Sequence, residues 1–216
     1  MPSSTRRRLD RETVLRAAVA LADEIGIAAM SMRKLGEAVG VEAMSLYNHV
    51  ANKDDLLDGM VDLIFAEFAL PEAGADWKDE MRRRSHSARQ VLQQHRWAIS
   101  LLETRTSPGP ATLTHLDAVL GCLRTAGFSL ELAGHAFALL DAYTYGFAMQ
   151  EATLPFEGGD EVAELAETMI EAMPVDEYPH LVEFATGRAM QPGYDFGDEF
   201  GFGLELVLDG LERALG

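Results

Sequence analysis

Residues 31–50 read SMRKLGEAVGVEAMSLYNHV, and this stretch decides the fold. Gly40 divides it into two short helical segments, because glycine tolerates the positive φ that a tight turn between helices needs. Met32, Leu35, Val39, Val41, Leu46 and Val50 recur with a helical period and form one inward face across both segments. Ser31 stands where it can cap the first helix, and small Ala38 where it lets the two helices cross closely. Outward, the second helix presents Ala43, Met44, Ser45, Tyr47, Asn48 and His49. That face is too polar for a core and too aromatic for an ordinary solvated surface. Its shape suits the major groove of B-DNA, so the pair reads as a helix-turn-helix. The spacing is also compatible with a plain helical hairpin in which Tyr47 and His49 are half-buried.

The charge distribution separates these readings. The 216 residues carry a formal charge of −17, which would repel phosphates if spread evenly. Residues 1–53 hold eight Lys or Arg against six Asp or Glu, a balance of +2, while the remainder holds ten against 29, a balance of −19. Only the N-terminal end can sit on a duplex. Arg6, Arg7 and Arg8 belong to an arm that either touches DNA or is a solvated tail.

To either side of the decisive stretch the chain reads as helix throughout. Asp10 precedes a helix carrying Val14, Ala17, Ala18, Leu21, Ala22 and Ile25, which Gly26 stops. A longer helix from Lys53 to Phe68 joins the head to the rest. Further helices are expected over about 76–95, 112–126, 129–150, 161–173, 177–189 and 195–215, with a loop at 157–160. No strand pattern and no internal repeat is present. The fold class is therefore all-α, with a three-helix head over residues 1–53 and a larger helical body over residues 54–216. The 129–150 and 195–215 helices are apolar on more than one side and need a second partner. Leu140, Phe202, Leu206 and Gly210 are the expected dimer-forming positions, two helices from each subunit making a four-helix interface.

The run RKLGEAVGVEAMSLYNHVANKDDLLDGM resembles the DNA-binding segment of the TetR family of transcriptional regulators. GFSLELAGHAFALLDAYTYGFAMQ and FGFGLELVLDGLE are similar to the dimer-forming helices of the tetracycline-repressor type of C-terminal domain. The resemblance implies a homodimer on a palindromic double-stranded operator, with release by a small-molecule effector. It implies that Arg33 reaches a guanine edge, the alternatives being a phosphate contact or plain exposure. It implies that Lys53, opening the next helix, meets a phosphate, and that Ser31, Ser45, Tyr47 and His49 line the DNA. The chain also departs from the tetracycline repressors. Ala43, Met44 and Asn48 stand where those proteins carry glutamine, proline and tryptophan, so the operator is a different one. Ala69, Arg84 and Leu101 or Leu102 replace their pocket His and Asn residues, and Gln150 replaces a metal-linked glutamate. Magnesium–tetracycline is therefore not the expected effector.

The effector pocket is expected among Arg84, His86, Trp97, Leu101, Phe137, Tyr143 and Phe147, a mixture of bulky apolar and polar groups usual for a small-molecule site. The same residues could instead fill the core. No two of the six histidines fall three or four apart on one helix, so no metal and no cofactor is expected. The single cysteine, Cys122, reads as a core residue rather than a nucleophile. No run of about 20 apolar residues suggests a membrane span, and no signal peptide is evident, so the expected location is the cytoplasm. The expected function is a DNA-binding transcriptional repressor, not an enzyme. A transcriptional activator of the same fold and a helical protein-interaction module without DNA binding remain the alternatives. Turnover abolished by loss of Cys122 or His86 would instead mark a small enzyme.

Overall fold

The computed structural model describes residues 9–155, 159–172 and 174–216. Arg6–Arg8, Glu157, Gly158 and Met173 lie outside them. Among the described residues every regular element is helical. α1 (Arg11–Ile25) opens on Asp10, whose carboxylate accepts from the Thr13 amide at 2.8 Å, and ends at Gly26 with φ +77°. α2 (Met32–Val39) opens on Ser31, whose hydroxyl accepts from the Lys34 amide at 3.3 Å, and closes on Gly40 at φ +74°. α3 (Ala43–Leu46) follows, and α4 (Lys53–Glu67) is capped by Asn52, which accepts from the Asp55 amide at 2.8 Å.

Two details differ from the sequence reading. Ala38 is exposed, and the close crossing is made by buried Gly36: a Cβ there would stand 2.7 Å from the Val41 carbonyl oxygen and 3.1 Å from the Ala43 nitrogen. The second helix is also shorter than expected. Beyond Leu46 the chain continues as turns over residues 47–49, closed by bonds from Asn48 N to Ser45 O and from His49 N to Leu46 O. Asn and His are weak helix formers, and buried Val50 has to be reached before Asn52 caps α4.

The body contains α5 (Trp77–Gln94), α6 (Ile99–Leu102), α7 (Pro110–Thr125), α8 (Leu130–Thr153), α9 (Gly159–Ala172), α10 (Pro179–Phe184) and α11 (Glu199–Leu215). α9 begins at Gly159, so the expected loop does not extend to residues 159–160. α10 runs on into a π-helical turn, Ala185–Ala189. Among the described residues, two cores hold the head together with α5, α6, α7, α8 and α11, and neither includes α9 or α10. The first runs from Val14, Ala18, Leu35 and Leu46 in the head through Leu56, Met60 and Ile64 of α4 to Ala88, Leu92, Ala98 and Ala148 in the body. The division expected between residues 53 and 54 thus falls inside one packed core, at the first turn of α4. The second core joins Met81, Leu123, Phe128, Ala136, Leu140, Phe200, Leu204 and Leu208 across α5, α7, α8 and α11. Each large side chain buried in this way contributes about 1.5–3 kcal/mol.

Candidate functional site

The outer face of the head is assembled from α2, α3 and the start of α4. Met44 is 74% exposed and Tyr47 42%, while Asn48 is exposed and Ala43, Ser45 and His49 are half-buried beside them. Arg33 projects from the first turn of α2, three-quarters exposed, and forms an ion pair with Glu37 at 2.6 Å. An exposed pair one helical turn apart is worth only a few tenths of a kcal/mol, so the guanidinium exchanges partners at little cost. Lys53 is the first residue of α4 and is exposed, where unpaired amides and the ammonium both favour an anion. Ser31 is exposed too, but its hydroxyl is engaged as the α2 cap.

This face is held by a charged group that periodicity does not reveal. Arg11 of α1 donates to both oxygens of Asp55, at 2.9 and 2.6 Å, and to the His49 carbonyl at 3.1 Å. Asp55 also accepts from the Ala51 amide at 2.7 Å. The Arg11 guanidinium holds the Asp55 carboxyl below its usual range. The turn after α3 is therefore tied to α1 and α4 together.

The far end of the head is joined to the body at two places. Asp23 of α1 accepts from Trp97 Nε1 at 2.6 Å and faces His95 Nδ1 at 2.8 Å. On α4, Asp54, Asp58 and Asp62 succeed one another at single-turn spacing. Asp58 and Asp54 pair with Arg105 at 2.5 and 3.2 Å, and Asp62 accepts from the amide and hydroxyl of Thr112 at 2.8 and 2.9 Å.

Inside the body lies a buried polar cluster. Arg84 of α5 has no exposure; its Nε donates to His115 Nε2 and its Nη2 to the Tyr145 hydroxyl, both at 3.1 Å, and it pairs with Asp141 at 2.5 Å. Burial, with the adjacent guanidinium, pushes the His115 imidazole down to about 3. Burial drives the Asp141 carboxyl and the Tyr145 hydroxyl up, against the pull of Arg84. The ring of His115 lies 5.5 Å from Phe65 and 5.4 Å from Phe68 at the end of α4.

The seven residues expected to line one pocket are distributed over several places. Arg84 is in the buried cluster. Phe137 lies on the same face of α8 as Asp141 and Tyr145, at four-residue steps, and lines a cleft with them. Tyr143 and Phe147 belong to another face: Tyr143 donates to the Phe200 carbonyl at 2.8 Å, and Phe147 stacks on Phe196 at 4.9 Å. His86 is exposed at the edge of Phe200, 5.1 Å away. Trp97 and Leu101 pack on the first core. Sequence reading missed Asp141, Tyr145 and His115, although the single-turn spacing from Phe137 through Asp141 to Tyr145 was a usable signal.

The expected dimer positions divide as well. Phe202 and Leu206 are 69% and 55% exposed, and Gly210 is exposed one turn further along α11. Leu140, in contrast, is fully buried in its own protomer's second core, in register with Ala133 and Ala136. The outward face of α8 is made instead by Leu139, Ala142, Gly146 and Met149. Cys122 is buried and its thiol is pushed up by burial, which makes it inert. Among the described residues no group of three or more His, Cys, Asp or Glu side chains could hold a metal ion, and no helix is long and apolar enough to cross a membrane.

Two protein-family models match the chain. Residues 14–60 match bacterial regulatory proteins of the tetR family, and residues 70–215 match the tetracycline repressor-like C-terminal domain. The chain belongs to the TetR family. An HTH-type transcriptional regulator of Saccharopolyspora erythraea is 32% identical over 215 residues, covering 99% of this chain and 89% of that protein. The class A tetracycline repressor from transposon 1721 of Escherichia coli is 31% identical over 209 residues, covering 95% and 92%. The crystal structure of the Streptomyces coelicolor TetR family protein ActR in complex with actinorhodin matches with a TM-score of 0.78 at 27% identity, covering 97% of this chain and 99% of that one. This TetR-family chain is thus a helix-turn-helix transcriptional regulator, not an enzyme.

Proposed function

We propose that the protein is a cytoplasmic repressor that binds a palindromic operator as a homodimer and leaves it when a small molecule occupies the body. Each head would present Arg33 to a guanine edge, Tyr47, Ser45 and His49 to phosphates or thymine methyls, and Lys53 to a phosphate. Ala43, Met44 and Asn48 complete the surface that chooses the sequence. A second copy would cover Phe202, Leu206 and Gly210 of α11 with Leu139, Ala142, Gly146 and Met149 of α8. Exposed apolar side chains concentrated on two adjacent helices are usual for a protein interface. Repression is favoured over activation by the relatives named as repressors, among them the class A tetracycline repressor.

One observation carries this reading: α4 belongs to head and body at once. Its first residue, Lys53, is exposed on the outer face of the head, and its later turns touch Thr112 and His115 of α7. An effector that favours one setting of α4 changes the spacing of the two heads, shifting the dimer away from its DNA-competent form. Fluorescence anisotropy of the purified protein on pooled duplex DNA across salt concentrations tests the head assignment. Lys53→Ala is expected to weaken binding to all sequences and lower the salt slope by about one. Affinity unchanged by both Lys53→Ala and Tyr47→Ala would contradict it.

A further inference from the structure

We infer that Arg84, His115 and Tyr145, behind a cleft between α6 and α8, form the effector site and select a planar aromatic molecule bearing one carboxylate or ionised phenol. The inference rests on the repressor reading for the consequence of binding, not for the binding itself. Among the described residues, the buried side-chain atoms without a polar partner include Arg84 Nη1, Ser85 Oγ, His115 Nδ1 and Thr144 Oγ1, whereas Asp141 Oδ1 is engaged by Arg84 Nη2. All belong to α5, α7 and α8, and Arg84, Ser85, His115 and Thr144 have no exposure. Buried polar atoms are almost always paired, so this concentration in three touching helices marks a site rather than an accident of packing.

The unpaired set defines the ligand's chemistry. Arg84 Nε donates to His115 Nε2, which leaves the proton of the neutral imidazole on Nδ1. Arg84 Nη1, His115 Nδ1 and the two hydroxyls are then donors, one of them cationic. Such a set recognises an acceptor-rich anion. Asp141 engages Nη2 of Arg84 and leaves Nη1 open. Asp141 and Tyr145 also form the inner wall of a cleft of about 390 Å³, completed by Glu103, Phe137, Ala138 and Ala142. That volume is within the range of small-molecule sites. Phe137 and Tyr145 supply aromatic surface and the alanines leave width for a flat ring. Glu103 on the same wall disfavours a second negative charge, which excludes phosphates and other polyanions. When Asp141 moves aside, the anion takes its place on Arg84, and burial already favours the neutral form of the displaced carboxyl. The ring of His115 then passes the change to Phe65 of α4 and to Phe68, which closes that helix.

Calorimetric titration and thermal denaturation of the full-length protein with 2-naphthoate, salicylate and neutral 2-naphthalenemethanol test the inference. The acids are expected to raise Tm and to bind at least about tenfold more tightly than the alcohol. Arg84→Met should erase that preference. Arg84→Lys, which keeps the charge but loses the planar fork, and Tyr145→Phe should each reduce it while preserving the helical spectrum. Equal binding of acid and alcohol, a preference unchanged in Arg84→Lys and Tyr145→Phe, or no binding of either acid would overturn the inference. Binding of an acid with the expected preference but without loss of DNA affinity supports the site and contradicts release by effector, so the two failures are distinguishable.

Discussion

At the scale of single residues, Gly36 is a position where a methyl group is costly because it meets backbone. A Cβ there would press on the Val41 carbonyl, a backbone atom that cannot retreat without opening the α2–α3 crossing. Gly36→Ala is expected to lose about 1–3 kcal/mol of stability in urea denaturation. Ala38→Ser, on the exposed side of the same helix, should stay within about 0.5 kcal/mol. Arg33→Ala is expected to cost about 1–3 kcal/mol of operator affinity and to relax preference at one base pair. Selection and sequencing with the variant would show whether a guanine loses its dominance.

His115 makes a prediction about pH. Its folded imidazole is held near 3, below the free value of 6.5, so the unfolded chain binds the extra proton between those limits. Stability from this group is complete above 6.5 and is lost as pH falls toward 3, by up to about 1.4 kcal/mol per pH unit. Asp141, whose carboxyl burial raises against the pull of Arg84, acts in the opposite sense at the acid end. Wild type should therefore lose more stability than His115→Gln between pH 7 and 5.5 in denaturant titrations; equal losses would contradict the assignment. The head residues were legible because a helix-turn-helix announces itself in short-range spacing. His115 and Asp141 were not, and although Arg84 was, its partners were hidden: the pairing joins residues 31 to 57 positions apart on three helices, and local periodicity is blind to it.

At the scale of elements, the caps at Asp10, Ser31, Asn52 and Ser129 and the stops at Gly26 and Gly40 follow chemistry visible in the chain, and the helices begin and end there. Where local chemistry was weaker the outcome differed. Glu42 gives α3 no side-chain cap, and that helix lasts only four residues. α8 shows why a pocket could not be assembled from a list of bulky residues. Its hydrophobicity surrounds the helix, and only packing tells that Tyr143 and Phe147 turn to α11 while Phe137, Asp141 and Tyr145 turn to the cleft. α4 connects head and body, and its acidic row makes that role testable. Asp62→Ala removes two hydrogen bonds to Thr112 and is expected to cost about 1–3 kcal/mol in stability. Operator affinity should persist, while release by effector weakens. Retained stability and retained release would show that the row does not couple the two parts.

At the scale of the whole molecule, the negative body and slightly positive head make orientation an electrostatic matter: only one end of the protein approaches phosphate. The same division makes association with DNA steeply dependent on salt. The apolar character of two helices on more than one side was legible, but which side the protomer leaves exposed was not, since Leu140 and Phe202 look alike in the sequence. Phe202→Glu places a charge on the exposed face and touches none of the protomer's core. Sedimentation should then show a helical monomer whose operator affinity falls by orders of magnitude, because two linked heads gain from each other's effective concentration. A dimer that survives both Phe202→Glu and Leu206→Glu would place the interface elsewhere.

The central claim, a dimeric head pair reading a two-fold operator, is tested most directly by selecting the purified protein against random duplex DNA, sequencing the bound pool and repeating the selection across salt concentrations. The predicted result is a palindrome with half-sites about one helical turn apart, bound with an affinity that falls steeply as salt rises. A pool without enrichment at low salt, in the absence of any effector, would contradict it.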